Sequence, residues 1–145
     1  MSLANIRKKA KQKPPRIVLY GGAGIGKTFF AASMNKPIFL LVEDGLGQIE
    51  VDHFPLAESF EDVLKNLQSL IDNDNDYKTL VVDSLDWLEP LIWDKACQDN
   101  NFKSIESVGY GKGYVEALKY WRIYLNLLNE LREKGYTIMQ IAHNQ

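Results

Sequence analysis

The sequence is poor in the residues and patterns that mark several classes of protein. It contains one cysteine, Cys97, and two histidines in 145 residues, which excludes an internal disulfide and a Cys/His zinc cluster. No run approaches the roughly 20 apolar residues of a membrane-spanning helix, and no apolar signal-peptide core is visible near the start. The remaining composition, 46% hydrophobic and 25% charged, is that of a folded globular domain, which we expect in the reducing cytoplasm.

Charge is distributed unevenly along the chain. All nineteen acidic residues fall within 17–145, together with eleven basic residues, whereas 1–16 hold six basic residues and no acid. We therefore divide the chain into a basic, flexible tail at 1–15 and a folded core at 16–145. Such a tail is either a solvated terminus or an electrostatic contact for nucleic acid. The six basic residues are Arg7, Lys8, Lys9, Lys11, Lys13 and Arg16.

Short apolar runs alternate with segments of helical periodicity. Because the runs are apolar on both faces, we predict an α/β protein with a three-layer core around a mainly parallel sheet. We expect Pro90 within or near the first turn of its helix. The predicted strands are 16–20, 37–42, 79–83 and 137–142, and the predicted helices are 27–34, 59–71, 85–96 and 115–131.

Residues 21–28 match the pattern G-x-x-x-x-G-K-[ST] of a phosphate-binding loop. Its glycines let backbone N–H groups turn toward phosphates, and the following helix presents its positive end to the same anion. Lys27 can reach the β- and γ-phosphates of a nucleotide, and the Thr28 hydroxyl can bind Mg²⁺. The predicted nucleotide-binding residues are Gly21, Gly22, Ala23, Gly24, Ile25, Gly26, Lys27, Thr28 and Phe29.

Asp83 ends the apolar strand at 79–83, where proteins with this loop carry a second Mg²⁺-binding residue. We predict that Asp83 holds Mg²⁺ opposite Thr28. The alternative is a strand-ending residue that caps the following helix. Ser84 is equally suited to supporting Mg²⁺ and to capping that helix.

Nucleotide hydrolysis needs a group that orients or deprotonates the attacking water. No carboxylate directly follows Asp83, so the candidates are Glu43 and Asp44, where the second strand ends. Strand ends of this polarity line the ligand crevice of a parallel sheet. We predict Glu43, or else Asp44, as the catalytic base, provided that the second strand neighbours the strand before the phosphate loop. A solvated acidic turn is the alternative.

The fourth predicted strand also ends in polar residues, which would lie at the same edge of the sheet. We predict that His143 hydrogen-bonds the γ-phosphate or the attacking water, with Asn144 and Gln145 as alternatives. An ordinary polar strand end would explain the same three residues. Since the other histidine, His53, lies in a predicted loop, nothing in the sequence pairs the two histidines at one metal.

The phosphate loop, the acidic pair at 43–44, the segment 79–84 and the polar end of the last strand together resemble the RecA-like ATPase core. The similarity covers about residues 16–145 and is greatest to phage-encoded nucleotide-binding proteins of the AAA/RecA-like type. It implies a homo-oligomeric hydrolase that uses ATP and Mg²⁺ in phage DNA recombination, replication or repair. Its location would be the cytoplasm of the bacterial host.

The resemblance also implies a DNA-contacting loop ahead of the last predicted helix, which in this sequence is 109–114. Tyr110 and Tyr114 can stack on the bases of single-stranded DNA, and Lys112 can meet a phosphate. The alternative is a glycine-rich loop whose tyrosines pack on the domain. RecA-like cores continue with further strands, so we expect this chain to be truncated at its C-terminal end.

Two other functions are compatible with a phosphate loop. A small-molecule or nucleotide kinase usually needs an arginine-rich lid, whereas the sequence after residue 16 offers only Arg122 and Arg132. A nucleotide-dependent interaction switch would bind ATP without significant turnover. Phosphoryl transfer to an added acceptor would identify the kinase, and tight ATP binding without hydrolysis would identify the switch.

Overall fold

The computed structural model describes residues 2–8, 10 and 12–144, and within them a parallel β-sheet lies between two layers of helices. This arrangement confirms the predicted α/β class with a RecA-like core. Lys9, Lys11 and Gln145, named above as tail or site residues, lie outside the described residues. The strands are β1 (Arg16–Gly21), β2 (Pro37–Leu41), β3 (Asp52–His53), β4 (Thr79–Asp83) and β5 (Thr137–His143), and the helices are α1 (Lys27–Ala32), α2 (Phe60–Asp72), α3 (Leu85–Asn100) and α4 (Lys112–Glu133).

The strand order in the sheet is β1-β5-β4-β2-β3, and every neighbouring pair is parallel. The short edge strand β3 has no counterpart among the predicted strands. Because β5 and β4 lie between β1 and β2, the adjacency on which we based the role of Glu43 is not found. The strand ends nevertheless lie on the same side of the sheet: Gly21 is in register with His143 and Leu41 with Asp83, and β5 continues two residues beyond the partner of Asp83. The residues that follow these four strands therefore meet at one edge of the sheet.

Alternate residues of the central strands face opposite layers of the molecule. Leu40 and Val82 belong to a buried cluster with residues of α2, α3 and α4, whereas Phe39 and Val81 pack with Ala31 of α1. This period of two is the alternation that a strand imposes on its side chains. A sheet apolar on both faces is thus covered on both, which produces three layers and confirms that part of the prediction.

The helix boundaries differ from the predicted ones at several ends: α1 stops at Ala32, α3 continues to Asn100, and α4 runs from Lys112 to Glu133. Pro90 is the sixth residue of α3, near the first turn as predicted. A proline in that position removes one helical hydrogen-bond donor, which the long helix tolerates. α2 begins as predicted, since Ser59 Oγ accepts a hydrogen bond from the Asp62 N–H at 3.1 Å. Among the described helices, none has both the length and the apolar character needed to cross a membrane.

The end of the basic tail lies against the C-terminal part of α4. Lys13 forms an ion pair with Glu133, and Arg132 Nε donates a hydrogen bond to the Pro14 carbonyl at 2.9 Å. These contacts fix the chain just before it enters β1. They also occupy Arg132, one of the two arginines that a kinase lid would need.

Gly113 marks a close contact between α4 and the preceding loop, and it gives the first testable prediction. A Cβ on Gly113 would lie 2.0 Å from the carbonyl oxygen of Ile105. Alanine usually stabilises a helix by about 1 kcal/mol relative to glycine, but here the loop would have to move away from the helix. We expect Gly113→Ala to lower the free energy of unfolding by about 1–3 kcal/mol.

Urea denaturation of Gly113→Ala and Gly109→Ala measures this effect against a matched control. A Cβ on Gly109 meets no atom within 4 Å, so that variant should unfold close to the wild-type midpoint. Equal stability of wild type and Gly113→Ala would contradict the packing described for this loop.

Candidate functional site

The predicted phosphate loop connects β1 to α1 and adopts a conformation that depends on glycine. Gly24 and Gly26 have φ values of 77° and 96°, in the left-handed region that other residues rarely enter. A Cβ at either position would meet no other atom, so the requirement is conformational rather than one of space. Of these two glycines, Gly26 is prescribed by the motif, whereas Gly24 occupies one of its variable positions.

Lys27 is a buried cation at the start of α1. Its side chain is 6% exposed, and Nζ donates hydrogen bonds to the carbonyls of Gly21 at 2.9 Å and Gly22 at 2.6 Å. Among the described residues, no carboxylate forms a salt bridge with this ammonium group. A buried ammonium held only by neutral carbonyls has unbalanced positive charge, which favours binding of an anion.

Thr28 and Asp83 meet as the sequence predicts. Thr28 Oγ1 donates a hydrogen bond to Asp83 Oδ2 at 3.0 Å, and Asp83 is only 1% exposed. Burial raises the pKa of Asp83, the Thr28 hydrogen bond opposes that rise, and the nearby charge of Glu43 adds to it. Asp83 Oδ1 has no hydrogen-bond partner in the described structure. A hydroxyl and a carboxylate with a free oxygen fit Mg²⁺, which prefers oxygen ligands.

Ser84 directly follows Asp83 in the sequence and is fully buried at the position before α3. Its Oγ makes no helix-capping hydrogen bond and has no partner within the described residues. Ser84 therefore does not cap α3, which was one of the two roles that the sequence left open for it. A buried hydroxyl without a partner remains available to a ligand at the end of β4.

Glu43 and His143 come together although they are 100 residues apart in the sequence. His143 Nε2 and Glu43 Oε1 are 2.9 Å apart, and both side chains are partly buried. With Glu43 ionised, the Nε2–H donates and the carboxylate accepts. The His143 backbone N–H donates to Asp86 Oδ2 at 2.6 Å, so the first turn of α3 fixes the end of β5.

The other polar candidates at this edge are placed differently. Asp44 is exposed and does not line the site cavity. The Asn144 N–H donates to the Gly21 carbonyl at 2.8 Å, and its Oδ1 accepts a hydrogen bond from the Tyr20 hydroxyl at 3.2 Å. Asn144 thus contacts the end of β1 rather than the Glu43–His143 pair.

One cavity of about 310 Å³ brings most of the predicted site residues together. Sequence reasoning missed Gly45 and Ile49 in its lining, as well as Asp86 beside it. Ile49 is one of several scattered apolar residues in this loop, with Leu46 and Val51, which is a weak signal, and Asp86 is one of many acids. The cavity is lined by Gly24, Gly26, Lys27, Thr28, Phe29, Glu43, Gly45, Ile49 and His143.

A second cavity of about 530 Å³ adjoins the first and shares two lining residues with it, Phe29 and Ile49. Its remaining walls come from the end of α1 and from residues 48 and 50. Phe29 is 71% exposed, which leaves its ring free to cover a flat apolar group. The second cavity has the more apolar walls of the two.

The predicted DNA-contacting loop lies apart from these cavities, and none of its residues lines them. Tyr110 is fully exposed with φ of 60°, an unfavourable conformation for an aromatic residue. Lys112 is also exposed. The Tyr114 ring packs edge-on against Trp93 with centroids 5.5 Å apart, so it is partly engaged within the domain.

Comparison with known proteins agrees with the fold and the phosphate loop. The profile of the AAA domain family matches residues 13–145. The SPbeta prophage-derived uncharacterized protein YorG of Bacillus subtilis (strain 168) is 28% identical over 133 residues, covering 88% of this chain and 40% of that protein. The chain thus spans well under half the length of this relative. The parallel sheet, the phosphate loop and the family match show that the chain belongs to the AAA domain family of P-loop ATPases.

Proposed function

We propose that this chain binds ATP and hydrolyses it in the presence of Mg²⁺. The observation that carries the proposal is the convergence, at one edge of the sheet, of a phosphate loop, the Thr28–Asp83 pair and the Glu43–His143 pair. Each pair supplies a different requirement of phosphoryl transfer: a cation site and a proton acceptor. The family match supports nucleotide binding, and the proposal of hydrolysis rests on these side chains.

The phosphate loop would hold the β- and γ-phosphates of ATP. Lys27 would exchange its hydrogen bonds with the Gly21 and Gly22 carbonyls for bonds to phosphate oxygens, which are charged and therefore stronger acceptors. Thr28 and Asp83 would hold Mg²⁺, with Ser84 next to them. When bound, the ion supplies positive charge that neutralises the phosphate oxygens.

Glu43 would act as the base. A water oxygen attacks the γ-phosphorus, the bond to the β,γ-bridging oxygen breaks, and Glu43 accepts the proton that the water releases. His143 holds Glu43 Oε1 at 2.9 Å and thereby orients the carboxylate. Asp44 is exposed outside the cavity, so the geometry favours Glu43 between the two acids.

The adjoining cavity would receive the nucleoside. Phe29 and Ile49 line both cavities and present apolar surface to a base, and Gln48 offers an amide that can hydrogen-bond its edge. Because Phe29 lines both cavities, it would lie where the phosphate part and the nucleoside part of the ligand meet.

We further propose that nucleotide state is coupled to binding of single-stranded DNA, in phage DNA recombination, replication or repair, by a homo-oligomer. The prophage origin of the relative supports the phage context. A fully exposed tyrosine held at positive φ costs stability, which is tolerated more readily at a functional surface than elsewhere. Tyr110 would stack on a base, and Lys112 and the basic tail would contact phosphates.

Measuring ATP hydrolysis with and without Mg²⁺, and with and without single-stranded DNA, tests this proposal. Mg²⁺-dependent turnover that DNA stimulates would support both parts. Turnover unaffected by DNA would leave an ATPase without the proposed coupling. Tight ATP binding without turnover would instead identify a switch, and phosphoryl transfer to an added nucleotide would identify a kinase.

The DNA contact gives a second prediction. We expect Tyr110→Asn to weaken binding of single-stranded DNA at least fivefold, because it removes the stacking ring while suiting the left-handed backbone. Lys112→Ala should lower the slope of log affinity against log salt by about 0.7, the value for one lost phosphate contact. Fluorescence anisotropy with a labelled oligonucleotide at several salt concentrations measures both.

Lys119→Ala is the control for these variants. It removes the same charge from α4 at an exposed position that is paired with Glu116, and it should leave the salt slope unchanged. If Lys119→Ala and Lys112→Ala behave alike, the loop is not the DNA surface.

A further inference from the structure

Three strand ends bring together a set of side chains that can bind a metal directly. Glu43 follows β2, Asp83 ends β4 and His143 ends β5. One ligand atom from each lies within 4.8 Å of the other two. We infer that Glu43, Asp83 and His143 bind a divalent transition-metal ion, of which Zn²⁺ is the best match, in the nucleotide-free protein. This site shares Asp83 with the proposed Mg²⁺ site beside Thr28 and differs from it by including a ring nitrogen, so the two ions would compete for the Asp83 carboxylate.

The donor set selects the class of metal. One imidazole nitrogen and two carboxylate oxygens suit Zn²⁺ and related transition metals, whereas Mg²⁺ is usually bound by oxygen alone. Three protein ligands with an open fourth position form a common Zn²⁺ arrangement. Asp83 and Glu43 also supply two negative charges against the two positive charges of the ion.

The separations are close to those that tetrahedral Zn²⁺ requires. Bonds of about 2.0–2.2 Å place neighbouring ligand atoms about 3.4 Å apart. The Glu43 Oε1–His143 Nε2 distance is 2.9 Å, and no separation in the set exceeds 4.8 Å. A shift of about 1 Å in the Asp83 or Glu43 side chain, well within rotamer freedom, is therefore enough.

A second, independent observation points to a ligand here. Asp83 is 1% exposed, and its Oδ1 has no hydrogen-bond partner in the described structure. Leaving a buried carboxylate oxygen unpaired is costly, and a metal ion would satisfy it. The position of His143 is set in advance, because its backbone N–H is held by Asp86 at 2.6 Å.

Metal binding at this site would have a consequence for the proposed ATPase, and this step rests on that function. Glu43 cannot accept a proton from water while it is bonded to Zn²⁺, and His143 cannot orient it. Micromolar Zn²⁺ should therefore inhibit turnover in the presence of millimolar Mg²⁺. Loss of this inhibition in His143→Ala would show that Zn²⁺ inhibits turnover by binding to the set of Glu43, Asp83 and His143.

The test titrates the full chain, stripped of metal and without nucleotide, with Zn²⁺ alone in competition with a chromophoric chelator. We expect one ion per chain, with affinity reduced at least tenfold in both His143→Ala and Glu43→Gln. Two controls test the other imidazole and the thiol of the chain as Zn²⁺ ligands: His53→Ala and Cys97→Ser should bind Zn²⁺ as wild type does. A Co²⁺ spectrum with the intense visible bands of tetrahedral coordination, absent in His143→Ala, would support the same set.

Three results would overturn the inference: no binding by wild type, unchanged binding by both site variants, or loss of binding in His53→Ala or Cys97→Ser. Glu43→Gln keeps the shape of the side chain, so it remains informative if His143→Ala fails to fold. Because the titration contains no nucleotide, Zn²⁺ binding can stand or fall separately from ATP hydrolysis.

Discussion

Lys27→Ala is expected to weaken ATP binding at least a hundredfold, which corresponds to about 2.8 kcal/mol. The reason is the burial of the ammonium group. Lys27 is 6% exposed and is hydrogen-bonded to the neutral carbonyls of Gly21 and Gly22, which leave its positive charge unbalanced, so a bound phosphate would interact strongly with that charge. Isothermal titration with ATP and Mg²⁺ measures the loss directly.

Lys65→Ala is the matched control for this experiment. Lys65 is exposed on α2, and the same change in net charge there should leave ATP affinity unchanged. Circular dichroism should show that both variants are folded. Undiminished binding or turnover in Lys27→Ala would exclude the phosphate loop as the working site.

Glu43→Gln is expected to retain ATP binding and to lower kcat about a hundredfold, in the range typical of a lost general base. Glutamine keeps the size of the side chain and can still accept the hydrogen bond from His143 Nε2, so the local structure is preserved. It cannot accept a proton from water at neutral pH. Single-turnover hydrolysis, measured with enzyme in excess, separates this loss from effects on ATP affinity.

Asp44→Asn is the internal comparison. It removes the same charge at the neighbouring residue, which is exposed and does not line the cavity. We expect its kcat to stay within about twofold of wild type, because the Asp44 carboxylate is exposed to solvent outside the cavity and contributes no group to the proposed reaction. If Asp44→Asn alone slows hydrolysis, the base has been assigned to the wrong acid.

The candidate residues of the site could be named from the sequence, but the direct contact between Glu43 and His143, which depends on strand order, could not. The phosphate loop is one segment, so its motif fixes Lys27 and Thr28 locally. Asp83 could be recognised because it ends an apolar run. By contrast, Glu43 and His143 meet across 100 residues, and only the order β5-β4-β2 brings them together.

The edge strand β3 could not be predicted from the sequence for a different reason. Asp52 and His53 are both exposed and polar, so they carry no hydrophobic alternation. They become a strand because β2 offers a free edge and Ile38 pairs with Asp52. Likewise, α4 begins earlier than predicted because Gly111 adopts φ of 68° and ends the preceding turn, which the pattern of apolar residues does not encode.

The position of β1 has a consequence for the order of events during synthesis. Within the described chain β1 pairs with β5 alone, although the two strands come from opposite ends of the sequence. During synthesis the phosphate loop therefore leaves the ribosome long before β5 has been made. Until then β1 has no strand to pair with in the nascent chain. The proposed ATP binding would therefore be acquired only once β5 has been made, so binding of ATP to emerging chains would report the pairing of β1 with β5.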